Sequence, residues 1–255
     1  MQVSVVIPVY NGEGTLGAAL DSVMVQEVPL EILVVDDGST DGTADLVKSY
    51  CNRYPQIRYE RNIKNLGAAK SRARAVEKAR GEFVAFLDSD DWWTEGKLAA
   101  QLDVLRKTVC VLCCTARELM TPQGELTGRV IGVKDRITYR DLLRHNSINC
   151  SSVVIRRDAI REFPMEHEDS HEDYITWLKV LRKYGDAVGI NEPMLKYRLS
   201  NSGKSGNKLK SAGMTFKVYR YMGFGWGRSA VCFVSYAVHG VWKYLKSYID
   251  CKHVR

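Results

Sequence analysis

No stretch of this 255-residue sequence reaches the roughly 18 consecutive apolar residues that a membrane-spanning helix needs. The longest candidate, 229–242, is too short and is interrupted by His239, so no transmembrane helix is expected. A basic leader is also missing. The chain opens MQVSVVIPVY, strand-like from its first residues, so no signal peptide is expected and the reading is a cytoplasmic protein. There is no internal repeat and no low-complexity tract, which excludes a solenoid or a disordered tail. The seven cysteines are odd in number and irregular in spacing, which argues against a disulfide framework and for free thiols in a reducing compartment. Cys110 and Cys113 form a CxxC, yet VCVLCC reads as a buried strand. A period of two puts positions three apart on opposite faces, so a metal or redox pair is not expected.

What is present is an ordinary globular composition with a basic balance, net charge +7, weighted towards the C-terminal quarter. Such charge favours phosphate-bearing substrates or an anionic membrane surface, although single lysines also serve as solvated helix faces. The first 115 residues alternate strand and helix patterns. Apolar runs at 3–9, 31–35, 57–60, 83–87 and 109–115 read as strands. Helical spacing falls at 15–25, from Asp41 as a cap to about 54, at 68–79 and at 95–107. This alternation predicts an α/β fold with a Rossmann-like, doubly wound, mostly parallel sheet whose ligands bind beyond the carboxyl ends of the strands. Further on, 117–133 reads as an excursion turning at Pro122-Gln123-Gly124, 149–155 as a strand and 171–184 as a helix. Two C-terminal helices, 208–222 and 227–248, flank a glycine-rich break and form a helical extension. The organisation expected is a catalytic domain over 1–206, split near 115 into a nucleotide-sugar half and an acceptor half, followed by helices over 207–255.

Three strand ends carry polar residues directly after buried runs: Pro8-Val9-Tyr10-Asn11-Gly12, Asp36-Asp37-Gly38-Ser39 and Asp88-Ser89-Asp90-Asp91. All should converge on one sheet edge. Hard divalent cations take carboxylate and phosphate oxygens, so Asp88-x-Asp90 at such an edge suits Mg2+ or Mn2+ beside a diphosphate. The competing explanation is that Asp90 or Asp91 caps the helix beginning near Glu95.

Four segments, VSVVIPVYNGEGTL, EILVVDDGSTDGT, NLGAAKSRARA and GEFVAFLDSDDWW, resemble the nucleotide-binding half of family 2 glycosyltransferases of the GT-A fold. A weaker likeness continues through Glu172-Asp173 and YRLSNSGKSGNKLK, similar to bacterial surface-polysaccharide transferases of the teichuronic-acid type. The resemblance implies that Tyr10 stacks on the nucleotide base, that Pro8 and Val9 line its pocket, and that Asp37 accepts the imide N–H of a uracil. Asp36 would only shape the turn. Gly67, Lys70 and Arg74, with the residues between the last two, would lie near the nucleotide or diphosphate. Asp88, with Ser89 beside it, would meet the ribose or sugar, and Asp90 the metal. Asp173 matches the general base of inverting members, although an acidic helix start also satisfies the macrodipole.

Other patterns weigh less. His167-Glu-Asp-Ser-His171 satisfies H-E-x-x-H but reads as a loop entering a helix, and either histidine could instead touch diphosphate or acceptor. Gly203-Lys204-Ser205 lacks the earlier glycine of a P-loop, Arg198 standing there. Arg198, Lys204 and Lys208 could form a basic flap over the diphosphate. The segment HNSINCSS, 145–152, lies where family members line the acceptor or metal side. A Gln-x-x-Arg-Trp segment of processive synthases is absent, which favours addition of a single sugar. The expectation is an inverting, Mn2+- or Mg2+-dependent transfer from a UDP-type donor to a glycan or lipid-linked glycan in surface-polysaccharide synthesis. It would work in the cytoplasm, or peripherally on the inner membrane face through the C-terminal helices. The alternatives are a nucleotidyltransferase, which would release pyrophosphate, and a non-catalytic sugar-nucleotide-binding scaffold. No groove-reading motif supports a nucleic-acid partner.

Overall fold

The computed structural model describes residues 2–200 and 208–238. In chain order the elements are β1 (Val3–Val9), α1 (Leu16–Met24), β2 (Leu30–Asp36), α2 (Thr43–Arg53), β3 (Ile57–Arg61), α3 (Ala68–Lys78), β4 (Phe83–Phe86), β5 (Trp92–Trp93) and α4 (Lys97–Lys107). There follow β6 (Leu112–Met120), β7 (Leu126–Ile131), β8 (Arg136–Ile137), α5 (Tyr139–Arg144), a 3-10 turn (Cys150–Ser152), β9 (Val154–Arg156) and α6 (Arg157–Glu162). The chain then forms α7 (Glu172–Tyr184), β10 (Ala187–Arg198), α8 (Lys208–Tyr221) and a further helix, α9, over 226–238.

Ten strands form one sheet in the order β3-β2-β1-β4-β9-β6-β10-β5, with β7 on β6 and β8 on β10. β1 is buried at every position, as its continuous apolar run requires, and pairs in parallel with both β2 and β4. Its alternate side chains feed two cores. Val3, Val5, Ile7 and Val9 pack with Leu16 and Leu20 of α1 and Leu98 and Leu102 of α4. Val6 faces the other layer, with Ala75 of α3 and Trp177 and Leu181 of α7.

Strand direction explains what gathers at the ligand edge. β9 is antiparallel to both β4 and β6, and β10 is parallel to β6. Hence β1, β2, β4, β6 and β10 all deliver their C-terminal ends to one edge. β9 and β5 run the other way, β5 being antiparallel to β10, so they present their N-terminal ends there. Two features of the far half differ from the sequence expectation. The fifth strand begins at Leu112 rather than 109 and runs on to Met120, because the expected excursion is a hairpin of β6 with β7. Gly124, at φ +93°, turns that hairpin. β10 has no counterpart in the pattern reading: a bulge between Ile190 and Leu195 takes up Pro193 and breaks the alternation.

Smaller shifts occur at helix starts. α2 is capped by Gly42, while the Asp41 carboxylate accepts the Thr43 N–H and the Glu13 N–H. α4 begins at Lys97 behind Gly96, so neither Asp90 nor Asp91 caps it. The 3-10 turn occupies the first part of the strand expected at 149–155.

Candidate active site

The ligand edge opens into a cleft of about 640 Å³. It is lined by Pro8, Val9, Tyr10, Asp37, Gly67 and Ala68, by Asp88, Ser89 and Asp90, and by Asn146, Asn149, Glu172 and Asp173. Asn65, Arg72, Cys150, His171, Tyr197, Arg198, Ser200, Ser211 and Tyr236 complete the described wall. Lys70 and Arg74 do not line it. A helix advances about 100° per residue, so the face of α3 that presents Ala68 to the cleft presents Arg72 next. Lys70 is exposed on the outer side, and Arg74 pairs with Glu60 at 2.9 Å and donates to Asn62 Oδ1 at 2.6 Å. Lys204 and the rest of 201–207 lie outside the described residues, as does the side chain of Lys208.

Asp37 follows β2 and is 3% exposed. Its Oδ1 accepts from Asn62 Nδ2 and the Leu66 N–H, both at 2.8 Å, and its Oδ2 from the Gly67 N–H at 2.7 Å. Three of the carboxylate's roughly four acceptor directions are thus spent on shaping the 62–67 loop, which leaves one for a ligand donor. Tyr10, half exposed at the rim, offers an open ring face. Asp36 is fully buried and serves the turn, accepting from the Ser39 N–H at 2.7 Å and from the Tyr59 hydroxyl at 2.8 Å.

Gly67 caps α3 at φ 91°, ψ 161°, a region open essentially to glycine alone. A Cβ there would also stand 2.3 Å from Glu168 Cδ, whose Oε2 accepts the Ala69 N–H at 2.8 Å. Gly67→Ala is therefore expected to cost about 1–3 kcal/mol in stability and to weaken nucleotide binding. Chemical denaturation with a ligand titration checks this, and unchanged values in both would refute the strain argument.

The acidic segment 88–91 is held by its neighbours. The Asp88 N–H donates to Ser151 Oγ at 3.1 Å, and Trp93 Nε1 donates to the Ser151 carbonyl at 2.7 Å. The Arg198 N–H donates to Asp91 Oδ1 and its Nε to the Asp90 carbonyl, both at 2.9 Å. Burial, then the neighbouring Asp88 charge, push Asp90 up to about 6. Burial, with Asp88 and Asp90, pushes Asp91 upward too, and its Oδ2 has no hydrogen-bond partner. The counter-charge bonded to Asp88 is Arg72, buried at 6% exposure, joined through Nη2 to Asp88 and through Nη1 to Glu172 at 2.9 Å. Burial works against the guanidinium charge, but Asp88 and Glu172 outweigh it and hold it well above the ordinary arginine value.

No group of three His, Cys, Asp or Glu among the described residues could cage a metal. Asp88 and Asp90 nonetheless fit a hard divalent cation of the kind that binds one or two carboxylates and completes its shell with substrate phosphate and water. Their mutual repulsion is what such an ion relieves.

Asp173 lies in the first turn of α7 and lines the same cleft, with Tyr174 N–H donating to its Oδ1 at 2.7 Å. Burial and the adjacent Glu172 push its carboxyl up to about 7, with Arg72 pulling the other way. His167 lies in the left-handed region at φ 66° and stacks on Tyr221 with centroids 3.7 Å apart. His171 caps α7 with Nε2 3.3 Å from the Ser211 carbonyl. The two histidines thus serve different partners and form no zinc pair.

The sequence model of the family described as Glycosyl transferase family 2 matches residues 4–163. The chain belongs to glycosyl transferase family 2. A Bacillus subtilis (strain 168) protein assigned to teichuronic acid biosynthesis as glycosyltransferase TuaG is 37% identical over 245 residues, spanning 95% of this family 2 glycosyltransferase and 97% of its own chain. The Escherichia coli UDP-Glc:alpha-D-GlcNAc-diphosphoundecaprenol beta-1,3-glucosyltransferase WfaP is 30% identical over 249 residues, covering 97% of each chain. Among solved structures, S. aureus TarS 1-349 in complex with UDP-GlcNAc aligns with a TM-score of 0.71 at 19% identity, over 93% of this chain and 72% of that one. The mannosyltransferase PcManGT from Pyrobaculum calidifontis, in complex with GDP-Man and Mn2+, aligns with a TM-score of 0.69 at 19% identity, over 88% and 65%. These likenesses establish the GT-A fold for this family 2 glycosyltransferase. Asp173 and Tyr236 both lie beyond the matched 4–163.

Proposed function

We propose that this glycosyltransferase is an inverting, Mn2+- or Mg2+-dependent enzyme that moves one sugar from a UDP-sugar to a lipid-linked glycan in surface-polysaccharide synthesis. The observation that carries the reading is one cleft lined by Tyr10 and Asp37, by the carboxylates Asp88 and Asp90, and by a base candidate, Asp173. The Escherichia coli relative's UDP-glucose donor and diphosphoundecaprenol-linked acceptor support the same substrate classes here. So does the UDP-GlcNAc held by TarS.

In this reading Tyr10 stacks on the uracil, and the free acceptor direction of Asp37 takes its imide N–H. Asp88 and Asp90 would hold the metal, which when bound neutralises charge on the departing diphosphate. That charge needs an outside source: among the described cleft-lining residues the arginines are Arg72, spent on Asp88 and Glu172, and Arg198, tied to backbone carbonyls. Asp173 takes the proton of the acceptor hydroxyl as it attacks the anomeric carbon from the face opposite the leaving group. No helix of the described residues is long and apolar enough to cross a membrane. α9 exposes Val231, Val234 and Val238 along one side, with Trp226 at its start, which supports peripheral contact with the cytoplasmic membrane face.

Thermal unfolding with UDP, GDP, CDP or ADP, with and without Mn2+, tests this directly. UDP with Mn2+ at about 100 times its dissociation constant is expected to stabilise by about 2.7 kcal/mol, roughly 5–10 °C here. Asp90→Ala should remove the Mn2+-dependent part. A shift selective for another nucleotide would reassign the base pocket, and none with any nucleotide would overturn the reading.

A further inference from the structure

The part of the cleft around Asp173 combines residues within the family-matched 4–163, Asn146 and Asn149, with residues beyond it, Ser211 of α8 and Tyr236 of α9. Tyr236 of α9 reaches the cleft wall, its ring centroid 6.1 Å from that of Tyr174 and 5.7 Å from that of His145. Asp173 is close enough that its charge acts on the Tyr236 phenol. Asn146 and Asn149, on the segment leading into β9, line the same cleft. Each amide spends its oxygen locally. Asn149 Oδ1 accepts the Ser151 N–H at 3.0 Å, and Asn146 Oδ1 the Ile148 N–H at 3.3 Å. That fixes both side chains and leaves their NH2 groups as what they can offer outward. An aromatic side chain and oriented neutral donors in one cleft suit the apolar face and hydroxyl rim of a pyranose.

We propose that Tyr236, with Asn146 and Asn149, forms the acceptor-sugar subsite, so that α9 rather than the nucleotide half selects the acceptor. This rests on reading the cleft as the transfer site, with Asp173 as base. The occupant is a neutral pyranose bearing a free hydroxyl: the ring lies on Tyr236, and the amides hold its other hydroxyls. The reacting hydroxyl is thereby turned to Asp173. The polar lining explains why a tyrosine in a helix otherwise packed on the main core comes to the cleft surface.

The test uses the full-length protein, a UDP-sugar panel, and octyl glycosides of the common hexoses and N-acetylhexosamines as acceptor probes, read by UDP release. Tyr236→Ala is expected to raise the KM of whichever glycoside the wild type uses by about tenfold, with kcat changed far less and the UDP-induced thermal shift retained. Tyr236→Phe, which keeps the ring, should restore the wild-type KM. An unchanged KM in Tyr236→Ala would overturn the proposal, as would a wild type that binds UDP yet uses no glycoside. Loss of the UDP shift in Tyr236→Ala would make the residue a structural prop of α9 and overturn it too. Absence of UDP binding by the wild type would instead bring down the underlying reading of the cleft, and the subsite with it.

Discussion

Asp173→Asn is expected to bind UDP as the wild type does and to transfer sugar about 10²–10⁴-fold more slowly. The substitution is nearly isosteric. The asparagine oxygen can still accept the Tyr174 N–H that Asp173 Oδ1 accepts at 2.7 Å, so the start of α7 should hold its shape. What disappears is the capacity to take a proton. Burial and the Glu172 charge push the Asp173 carboxyl up to about 7, against the pull of Arg72. A base of that strength is about half ionised at pH 7 and gains driving force over an ordinary aspartate. The sign of the pH dependence follows: the working form is the carboxylate, which is lost as pH falls. In the wild type kcat/KM should therefore drop about tenfold per pH unit well below 7 and level off above it. In the asparagine variant that limb should vanish. Single-turnover transfer across pH 5–9 measures both, and a wild-type rate in the variant would remove Asp173 from the chemistry.

How far the sequence could be read depended on where satisfaction of polar groups was local. β1, β2 and β4 are buried apolar runs, and the edge rule for parallel sheets then carried Asp37, Asp88 and Asp90 to one place without further information. β6 was misread because Arg117 and Glu118 look like a loop. In the sheet Glu118 pairs with Lys196 at 2.6 Å and Arg117 lies over the Tyr197 ring at 5.6 Å, partners nearly eighty positions away on a strand that was itself hidden. Losing β10 meant losing Tyr197 from the cleft. Lys70 and Arg74 stand off the cleft for a different reason: within 70–74 the 100° step from Ala68 singles out Arg72. That signal was available. Tyr236 was not, since nothing in the pattern of α9 shows which of its sides meets a cleft made mostly by distant parts of the chain.

Arg72→Ala should give the largest loss of stability, about 3–5 kcal/mol or roughly 6–20 °C, together with loss of transfer. The guanidinium is buried between Asp88, at the end of β4, and Glu172, at the start of α7, and Asp90, Asp91 and Asp173 crowd the same space. Removing it strands carboxylates without a counter-charge, which costs far more than an ion pair contributes. Because the penalty is one of unpaired negative charge, acidification should narrow the gap between variant and wild type. A gap that stays constant across pH would point to lost packing instead. Arg72→Lys separates charge from geometry. One ammonium on a flexible stem restores a positive charge but cannot reproduce the planar fork that holds two carboxylates at once. It should recover part of the stability and little of the rate. The fork fixes more than charge: it sets the carboxylate that follows β4 against the helix that carries Asp173, so strand and helix are registered through one side chain. Full recovery of both stability and rate in Arg72→Lys would mean that this registration is not needed, and that the cleft requires only a positive charge at its centre.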